Sequence, residues 1–203
     1  MRYLALGDSY SIGEGVPEAG RWPMQLAARL RADGVMLDDP RIVATTGWTT
    51  DELCAAMDAA AFAPPYDLVS LLIGVNNQYR GRSADDYQSE FRRMLKRAIS
   101  LAGDRANHVL VLSIPDWGVT PFAASSGRDL GQIARELDVY NAIAAEEVKV
   151  AGGHWVDITG ISRVNPQLLA EDGLHPSAAQ YALWMEAALP TARRILAQPI
   201  PAL

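Results

Sequence analysis

The 203-residue chain contains little cysteine, little histidine and no long apolar run. Cys54 is its only cysteine, so no disulfide can form within the chain. This residue lies in the helix-like stretch DELCAAM, and we expect a buried, unreactive thiol. His108 and His154 begin predicted strands and have no ligand-like cluster around them, so we expect packing or surface roles and no metal site.

Basic residues and apolar segments are also too few for two classes of protein. With 18 Lys and Arg against 24 Asp and Glu, the formal net charge of -6 argues against nucleic acid or an anionic membrane as the main partner. No apolar run approaches the roughly 20 residues of a membrane span, and YLAL is followed at once by polar turn residues rather than by a signal-peptide pattern. We expect a cytoplasmic location unless a leader was trimmed; the oligomeric state stays open.

Five short apolar runs alternate with longer amphipathic segments along the chain. The runs predicted to be strands cover residues 2–6, 41–45, 67–73, 108–114 and 154–158. The third and fourth runs are apolar almost throughout, which is typical of parallel strands covered on both faces. The pattern therefore indicates an α/β protein with one domain over 1–203 and an irregular tail at 197–203.

Apolar residues at spacings of three and four predict the helices between these strands. The predicted helices cover 22–34, 51–60, 84–102 and 129–151, and a last one starts at Pro176. Thr50 is placed to cap the second helix, and Pro190 is expected to break or kink the last. Trp22 and Trp184 are expected in the core.

Polar and reactive side chains follow the predicted strands. Ser9 comes after the first strand, Gly47 after the second and Asn76 after the third. Asp172 and His175 follow the fifth. Because the carboxyl ends of parallel strands share one edge of a sheet, we expect these residues to lie close together. A serine, an amide, a carboxylate and an imidazole form the set that acyl transfer requires.

Each of these residue types has a chemical reason to be there. An imidazole such as His175 can take the proton of the Ser9 hydroxyl and return it to a leaving group. Asp172, three residues earlier, can fix the tautomer of the ring. The backbone N–H of Ser9, the backbone N–H of Gly47 and the side-chain amide of Asn76 are candidate donors to an oxyanion.

Four sequence blocks, in this order, resemble the GDSL family of esterases and lipases, also called SGNH hydrolases. GDSYSIGEG is similar to the family's nucleophile block, TTGWTTDEL to its second block, IGVNN to its Gly-x-Asn-Asp block and EDGLHPS to its Asp-x-x-His-Pro block. Together the blocks span residues 7 to 177. One position departs from the pattern: Asn77 stands where the family usually has aspartate, so any buried contact of that side chain must differ here.

The resemblance implies a three-layer α/β/α sandwich with a five-stranded parallel sheet, similar to flavodoxin. It also implies a hydrolase without metal or cofactor that forms an acyl-serine intermediate. The implied catalytic residues are Ser9, Asp172 and His175, and the implied oxyanion hole consists of Ser9, Gly47 and Asn76. We expect the substrate to be a small or short-acyl carboxylic ester.

Several side chains near the same edge are candidate substrate contacts. These are Trp48, Asn77, Tyr79, Trp117 and Phe122. Packing of exposed loops is an equal alternative for the aromatic ones. Arg80 and Arg82 either meet a polar substrate or are solvated loop charges, the second being favoured. The loop at 115–128, with Gly118 and Gly127 permitting motion, is expected to determine the acyl-chain length.

Other functions stay open on the sequence alone. An acyltransferase or a carbohydrate acetylesterase of the same family would use the same residues, and a catalytically silent binding module would share the fold. The glycines at 7, 13 and 15 do not form the G-x-G-x-x-G dinucleotide motif. An FMN site would leave Asp172 and His175 without a role.

Overall fold

Five parallel strands form one sheet in the computed structural model of the protein, which describes residues 1–197. The strands are β1 (Tyr3–Gly7), β2 (Arg41–Ala44), β3 (Leu68–Leu72), β4 (Val109–Leu112) and β5 (His154–Val156). Their order across the sheet is β2-β1-β3-β4-β5, which is the flavodoxin-like order. The predicted α/β class and the five-stranded parallel sheet are therefore confirmed.

The strand register brings three strand ends to the same level. Gly7, the last residue of β1, pairs with Ala44 of β2 on one side and with Leu72 of β3 on the other. Every residue of β1 and β3 is buried, as their nearly continuous apolar sequence predicts. The segments that follow β1, β2 and β3 consequently leave the sheet side by side.

Helices cover both faces of the sheet and complete the three layers. The helices are α1 (Ser9–Ile12), α2 (Trp22–Ala32), α3 (Thr50–Ala59), α4 (Val75–Tyr79), α5 (Ala84–Leu101), α6 (Pro121–Ser125), α7 (Leu130–Ala151), α8 (Thr159–Val164) and α9 (Ala178–Leu196). One layer contains α2 packed on α9, and the other contains α5 packed between α3 and α7. The apolar stripe predicted on α5 is buried along its length: Tyr87, Phe91, Met94, Leu95 and Ala98.

Two predictions about helix ends are corrected by the structure. The cap of α3 is Thr49 rather than Thr50, and the Thr49 N–H donates to the Glu52 carboxylate at 2.8 Å. The last helix begins at Ala178 after the Ser177 cap, because Pro176 instead forms an isolated bridge with Leu169.

Helix α9 runs without a break through Pro190. A proline inside a helix removes one hydrogen bond and costs about 3 kcal/mol. The helix persists because both sides of this position are held in the core, where Trp184, Ala188 and Ala192 are fully buried. Burial of these side chains offsets the missing bond.

Cys54 is half-buried rather than buried, and Arg97 donates to its sulfur at 2.7 Å, because this side of α3 faces α5 near solvent. Of the predicted irregular tail, Ala197 is the C-cap of α9, and residues 198–203 lie outside the described residues. Within residues 1–197, no helix combines the length and the apolar character needed to cross a membrane.

Replacing Gly74 with alanine should destabilise the protein more than the same change at Gly34. Both glycines have positive φ, at +128° and +91°, so backbone strain applies to both. A Cβ at residue 74 would lie 2.6 Å from the buried ring of Tyr87, whereas residue 34 has open space around it. Urea unfolding should give a loss of about 3 kcal/mol or more for Gly74→Ala and about 1 kcal/mol for Gly34→Ala. Equal losses would contradict this packing argument.

Candidate active site

A cavity of about 200 Å³ opens at the edge of the sheet where β1, β2 and β3 end. It is lined by Ser9, Tyr10, Thr46, Gly47, Val75, Asn76, Tyr79, Trp117, Phe122, Leu174 and His175. The cavity thus brings together Ser9, Gly47, Asn76 and His175 with three of the predicted aromatic contacts, while Asp172 lies beside it, bonded to His175. Trp48 and Asn77 are not among the described residues that line it.

Ser9 is held at a sharp turn between β1 and α1. Gly7 is required there, since a Cβ at this position would lie 2.5 Å from the Leu72 carbonyl oxygen of the neighbouring strand. Asp8 caps the helix and accepts the N–H of Tyr10 at 3.1 Å. Ser9 is the first helical residue, so its own N–H has no acceptor inside the helix. Among the residues that the structure describes, this N–H has no acceptor, so it can serve a ligand.

The Asp8 carboxyl group beside Ser9 is buried and only half-satisfied. Its Oδ2 atom has no hydrogen-bond partner within residues 1–197, while Oδ1 takes the N–H of Tyr10. Burial raises the pKa of Asp8 to about 7, and the hydrogen bond from the Tyr10 N–H only partly opposes this shift. The protein therefore contains a carboxyl group that titrates near neutral pH next to the candidate nucleophile.

His175 and Asp172 form a close pair on the loop before α9. The Nδ1 atom of His175 lies 2.6 Å from Oδ2 of Asp172. The Oδ1 atom of Asp172 accepts the N–H groups of Leu174 and His175, each at 2.9 Å, which fixes the loop. Burial raises the pKa of Asp172, but the hydrogen bonds from the His175 ring and these two N–H groups outweigh it, so the net pKa is lowered. The ionised carboxylate thus leaves Nε2 of His175 for proton transfer.

Three aromatic rings pack beside the imidazole of His175. The centre of the Tyr10 ring lies 5.9 Å from the centre of the His175 imidazole, in an edge-to-face arrangement. The Tyr10 ring packs against Trp184 in the same way and at the same distance. Tyr181 packs against Trp184 at 5.1 Å. These buried rings restrict the imidazole to one orientation, which a proton-transfer group needs.

The candidate oxyanion donors Gly47 and Asn76 come from two adjacent segments. Gly47 has a φ of +88° in the turn after β2. Asn76 belongs to α4, and its Nδ2 atom donates to the Trp48 carbonyl at 2.9 Å. An amide carries two N–H bonds, so the second remains available to a ligand in the cavity. Trp48, a predicted substrate contact, instead contributes its backbone carbonyl to the orientation of Asn76.

The helical spacing of α4 separates the cavity residues from the others. Val75, Asn76 and Tyr79 line the cavity, as residues three and four apart share one helix face. Asn77 is fully buried away from it; its amide donates to the Thr50 hydroxyl at 2.7 Å and to the Glu90 carboxylate at 3.0 Å.

Arg80 and Arg82 form ion pairs, and Arg80 is exposed to solvent while Arg82 is partly buried. Arg80 donates to the Gly47 carbonyl at 2.7 Å and to Glu52 at 3.1 Å. Arg82 bonds Asp51 at 2.7 Å and Glu90 at 3.1 Å. The bond from Arg82 lowers the pKa of Asp51 to about 2, so that carboxylate is ionised. Both arginines link the segment after β3 to α3 or the turn before it.

Aromatic side chains form one wall of the cavity. Trp117 packs against Tyr79 at 5.4 Å and against Phe122 at 6.2 Å, and its indole N–H donates to Gln78 at 2.8 Å. The guanidinium of Arg128 lies 4.3 Å from the centre of the Tyr79 ring. The segment at 115–128 is partly helical, since a short 3₁₀ turn at Trp117–Val119 and α6 lie within it.

Four lining residues were not singled out from the sequence: Tyr10, Thr46, Val75 and Leu174. Each is the immediate sequence neighbour of a predicted site residue. The available signal was this adjacency, because a residue beside a nucleophile or an oxyanion donor in a tight turn often shares its surroundings. Asp8 was quoted within the first block but given no role.

The buried carboxyl of Asp8 predicts that stability falls as pH rises from about 4 to about 7. Its folded pKa of about 7 exceeds the ordinary 3.8, so the folded state keeps a proton that the unfolded state has lost. We expect Asp8→Asn, which retains the capping oxygen, to remove a loss on the order of 3–4 kcal/mol between pH 4 and 8. Urea unfolding at several pH values measures this.

The exposed carboxylate of Asp38 supplies the control for that experiment. The Asp38→Asn protein should retain the wild-type dependence of stability on pH. If Asp8→Asn and wild type instead keep a constant difference in unfolding free energy from pH 4 to pH 8, the carboxyl does not titrate in this range.

Comparisons with known proteins identify the family and the fold of the chain. The GDSL-like Lipase/Acylhydrolase family profile matches residues 5–183, which include Asp172 and every residue that lines the cavity. No curated protein sequence matches the chain.

Solved structures of esterases share the fold over nearly their whole length. The esterase EstA from Pseudoalteromonas sp. has 16% identity and a TM-score of 0.72, over 97% of this chain and 99% of its own. The lipase/acylhydrolase from Enterococcus faecalis has 19% identity and a TM-score of 0.72, over 100% of both chains. The acetylxylan esterase Axe2 from Geobacillus stearothermophilus has 19% identity and a TM-score of 0.71, over 98% of this chain and 94% of its own. With its sequence blocks, its sheet order and the family profile in agreement, the chain belongs to the GDSL-like lipase/acylhydrolase family of carboxylic ester hydrolases.

Proposed function

We propose that the protein is a serine esterase that hydrolyses small or short-acyl carboxylic esters through an acyl-serine intermediate. The observation that carries this proposal is the 2.6 Å contact between His175 and Asp172 at a cavity that also contains Ser9. A serine and an oriented imidazole in one small cavity are the requirements for nucleophilic catalysis.

In the acylation half-reaction, the Ser9 oxygen attacks the ester carbonyl carbon while His175 takes the hydroxyl proton. The new C–O bond pushes the carbonyl electrons onto oxygen, giving a tetrahedral oxyanion. Collapse of this species breaks the bond to the alcohol, and His175 donates its proton to the departing oxygen. Asp172 stabilises the imidazolium while it carries that proton.

Deacylation repeats these steps with water in place of Ser9. His175 takes a proton from the water, whose oxygen attacks the acyl carbon. The tetrahedral species then releases the carboxylic acid, and the proton returns to the Ser9 oxygen. The protein thus ends each cycle in its starting protonation state.

Three N–H groups would stabilise the oxyanion in both halves. The backbone N–H of Ser9 lacks a helical acceptor, and Gly47 and Asn76 line the same cavity. Asn76 is oriented by its bond to the Trp48 carbonyl at 2.9 Å, so its donor is fixed before substrate arrives. Losing one such donor generally lowers the rate by about 100- to 1,000-fold.

The size and walls of the cavity support a short acyl group. Its volume of about 200 Å³ is below the ~300–1,000 Å³ of pockets that enclose drug-sized ligands. Trp117 and Phe122 bound it on one side, and Leu174 and Val75 add further apolar surface. An acetyl or similar chain fits such a space, while a long fatty chain would need the aromatic wall to move.

Ser9→Ala should reduce turnover of p-nitrophenyl acetate by about 10⁴-fold or more, because the nucleophile is removed. Ser11→Ala is the matched control: Ser11 is a buried serine of the same helix that does not line the described cavity, and its variant should stay active. Turnover is followed by release of p-nitrophenolate, and circular dichroism checks the fold. Comparable activity in Ser9→Ala and wild type would refute the assignment.

Phe122→Ala should shift acyl-chain preference towards longer esters. Phe122 is partly exposed in the aromatic wall, so its removal enlarges the cavity without opening the core. We expect kcat/KM for p-nitrophenyl octanoate relative to the acetate to rise about tenfold. Phe62→Ala, which removes an aromatic ring that packs on Tyr66 outside the cavity, should leave this ratio unchanged. An unchanged ratio in Phe122→Ala would remove this residue from the acyl site.

A further inference from the structure

Asn77, which stands where the family usually has aspartate, connects three separate elements. Its Oδ1 atom accepts the backbone N–H of Thr50 in α3 at 3.1 Å. Its Nδ2 atom donates to the Thr50 hydroxyl at 2.7 Å and to Oε2 of Glu90 in α5 at 3.0 Å. Both N–H bonds of the Asn77 side chain and its oxygen are thus engaged inside the protein.

Glu90 accepts every hydrogen bond it makes in this cluster. Its Oε2 atom receives bonds from Asn77, from the Thr50 hydroxyl and from Arg82, the last at 3.1 Å. Each of these bonds uses a Glu90 carboxyl oxygen as acceptor, so the side chain opposite that oxygen has to be a donor. An aspartate at position 77 would oppose Glu90 with a second carboxylate 3 Å away, which repels and leaves the Glu90 oxygen without this donor.

This cluster lies directly behind the candidate oxyanion hole. Thr50 follows the turn that contains Gly47, and Asn77 follows Asn76 in α4. The bonds from Asn77 to Thr50 therefore fix the distance between the two segments that supply oxyanion donors. Arg80 reinforces the link by donating to the Gly47 carbonyl at 2.7 Å.

We propose that Asn77 and Glu90 are a matched pair of positioning residues, in which an amide donor and a carboxylate acceptor set the separation of the Gly47 and Asn76 donors. Neither side chain lines the cavity, so both act through the residues beside them. This inference rests on the proposed function, because the geometry it protects is that of the oxyanion hole.

If Asn77 and Glu90 form such a pair, exchanging the donor and the acceptor between the two positions should restore activity. Asn77→Asp should lower kcat by about tenfold or more with KM changed by less than about twofold, since donors to the transition state are misplaced while substrate binding is not. Glu90→Gln alone should lower kcat by about threefold, because its amide can still accept but loses charge towards Arg82 and Thr50.

The double variant Asn77→Asp/Glu90→Gln restores one donor and one acceptor at unchanged formal charge. Its kcat should return to within about threefold of wild type, well above the product of the two single effects. Hydrolysis of p-nitrophenyl acetate gives kcat and KM, and thermal unfolding shows whether each variant folds. Asp85→Asn, an exposed carboxylate change at the start of the same helix, is the control and should match wild type.

If the kcat effects of the two single variants simply multiply in the double variant, the pairing is overturned. It is also overturned if the variants change only KM or only the stability. If Asn77→Asp does not fold, Glu90→Gln alone decides, and an unchanged kcat overturns the proposal. The Ser9→Ala variant separates this result from the proposed function, because an active Ser9→Ala enzyme would refute the mechanism itself. If Ser9→Ala is inactive and the effects of Asn77→Asp and Glu90→Gln simply multiply in the double variant, only the positioning pair is refuted.

Discussion

The side-by-side alignment of β1 and β3 is the constraint on which the site depends. Gly7 ends β1 opposite Leu72 of β3, so the chain leaves both strands at one level. Ser9 and Asn76, which follow these two strands, therefore line the same cavity. His175 belongs to a different segment, the loop before α9. Hydrogen bonds from two backbone N–H groups to Asp172 set the shape of this loop. The sheet thus fixes Ser9 and Asn76 of the candidate site, and the loop fixes His175 and Asp172.

The sheet and the residues at its edge were predictable because their signals are local and repetitive. Strands buried on both faces require continuous apolar runs, and helices packed on one side require apolar spacings of three and four. Parallel strands then place the residues after each strand at a common edge. Helix ends were less predictable: Thr49 and Thr50 are both good caps, and the reciprocal bonds between Thr49 and Glu52 select Thr49.

The direction of individual side chains was beyond the sequence argument. The segment IGVNN contains two successive asparagines, and the short helix α4 turns the second about 100° from the first. Asn76 therefore lines the cavity while Asn77 points towards α3 and α5. Arg80 and Arg82 were equally ambiguous, because their partners Glu52 and Asp51 lie on an element whose position relative to them depends on the whole fold.

The ion pairs around the site contribute geometry rather than stability. The pairs of Arg80 with Glu52 and of Arg82 with Asp51 are partly exposed, and such pairs are worth about 0–1 kcal/mol. Yet within residues 1–197 no strand pairing joins the turn after β2 directly to α4, so side-chain bonds help to fix their relative position. The oxyanion donors on these two segments have to be in place before negative charge develops on the substrate. If the segments could shift relative to each other, their reorganisation would add to the activation barrier. A cluster of weak bonds at this junction is thus valuable for the distance it maintains between donors, even where it adds little to the free energy of unfolding.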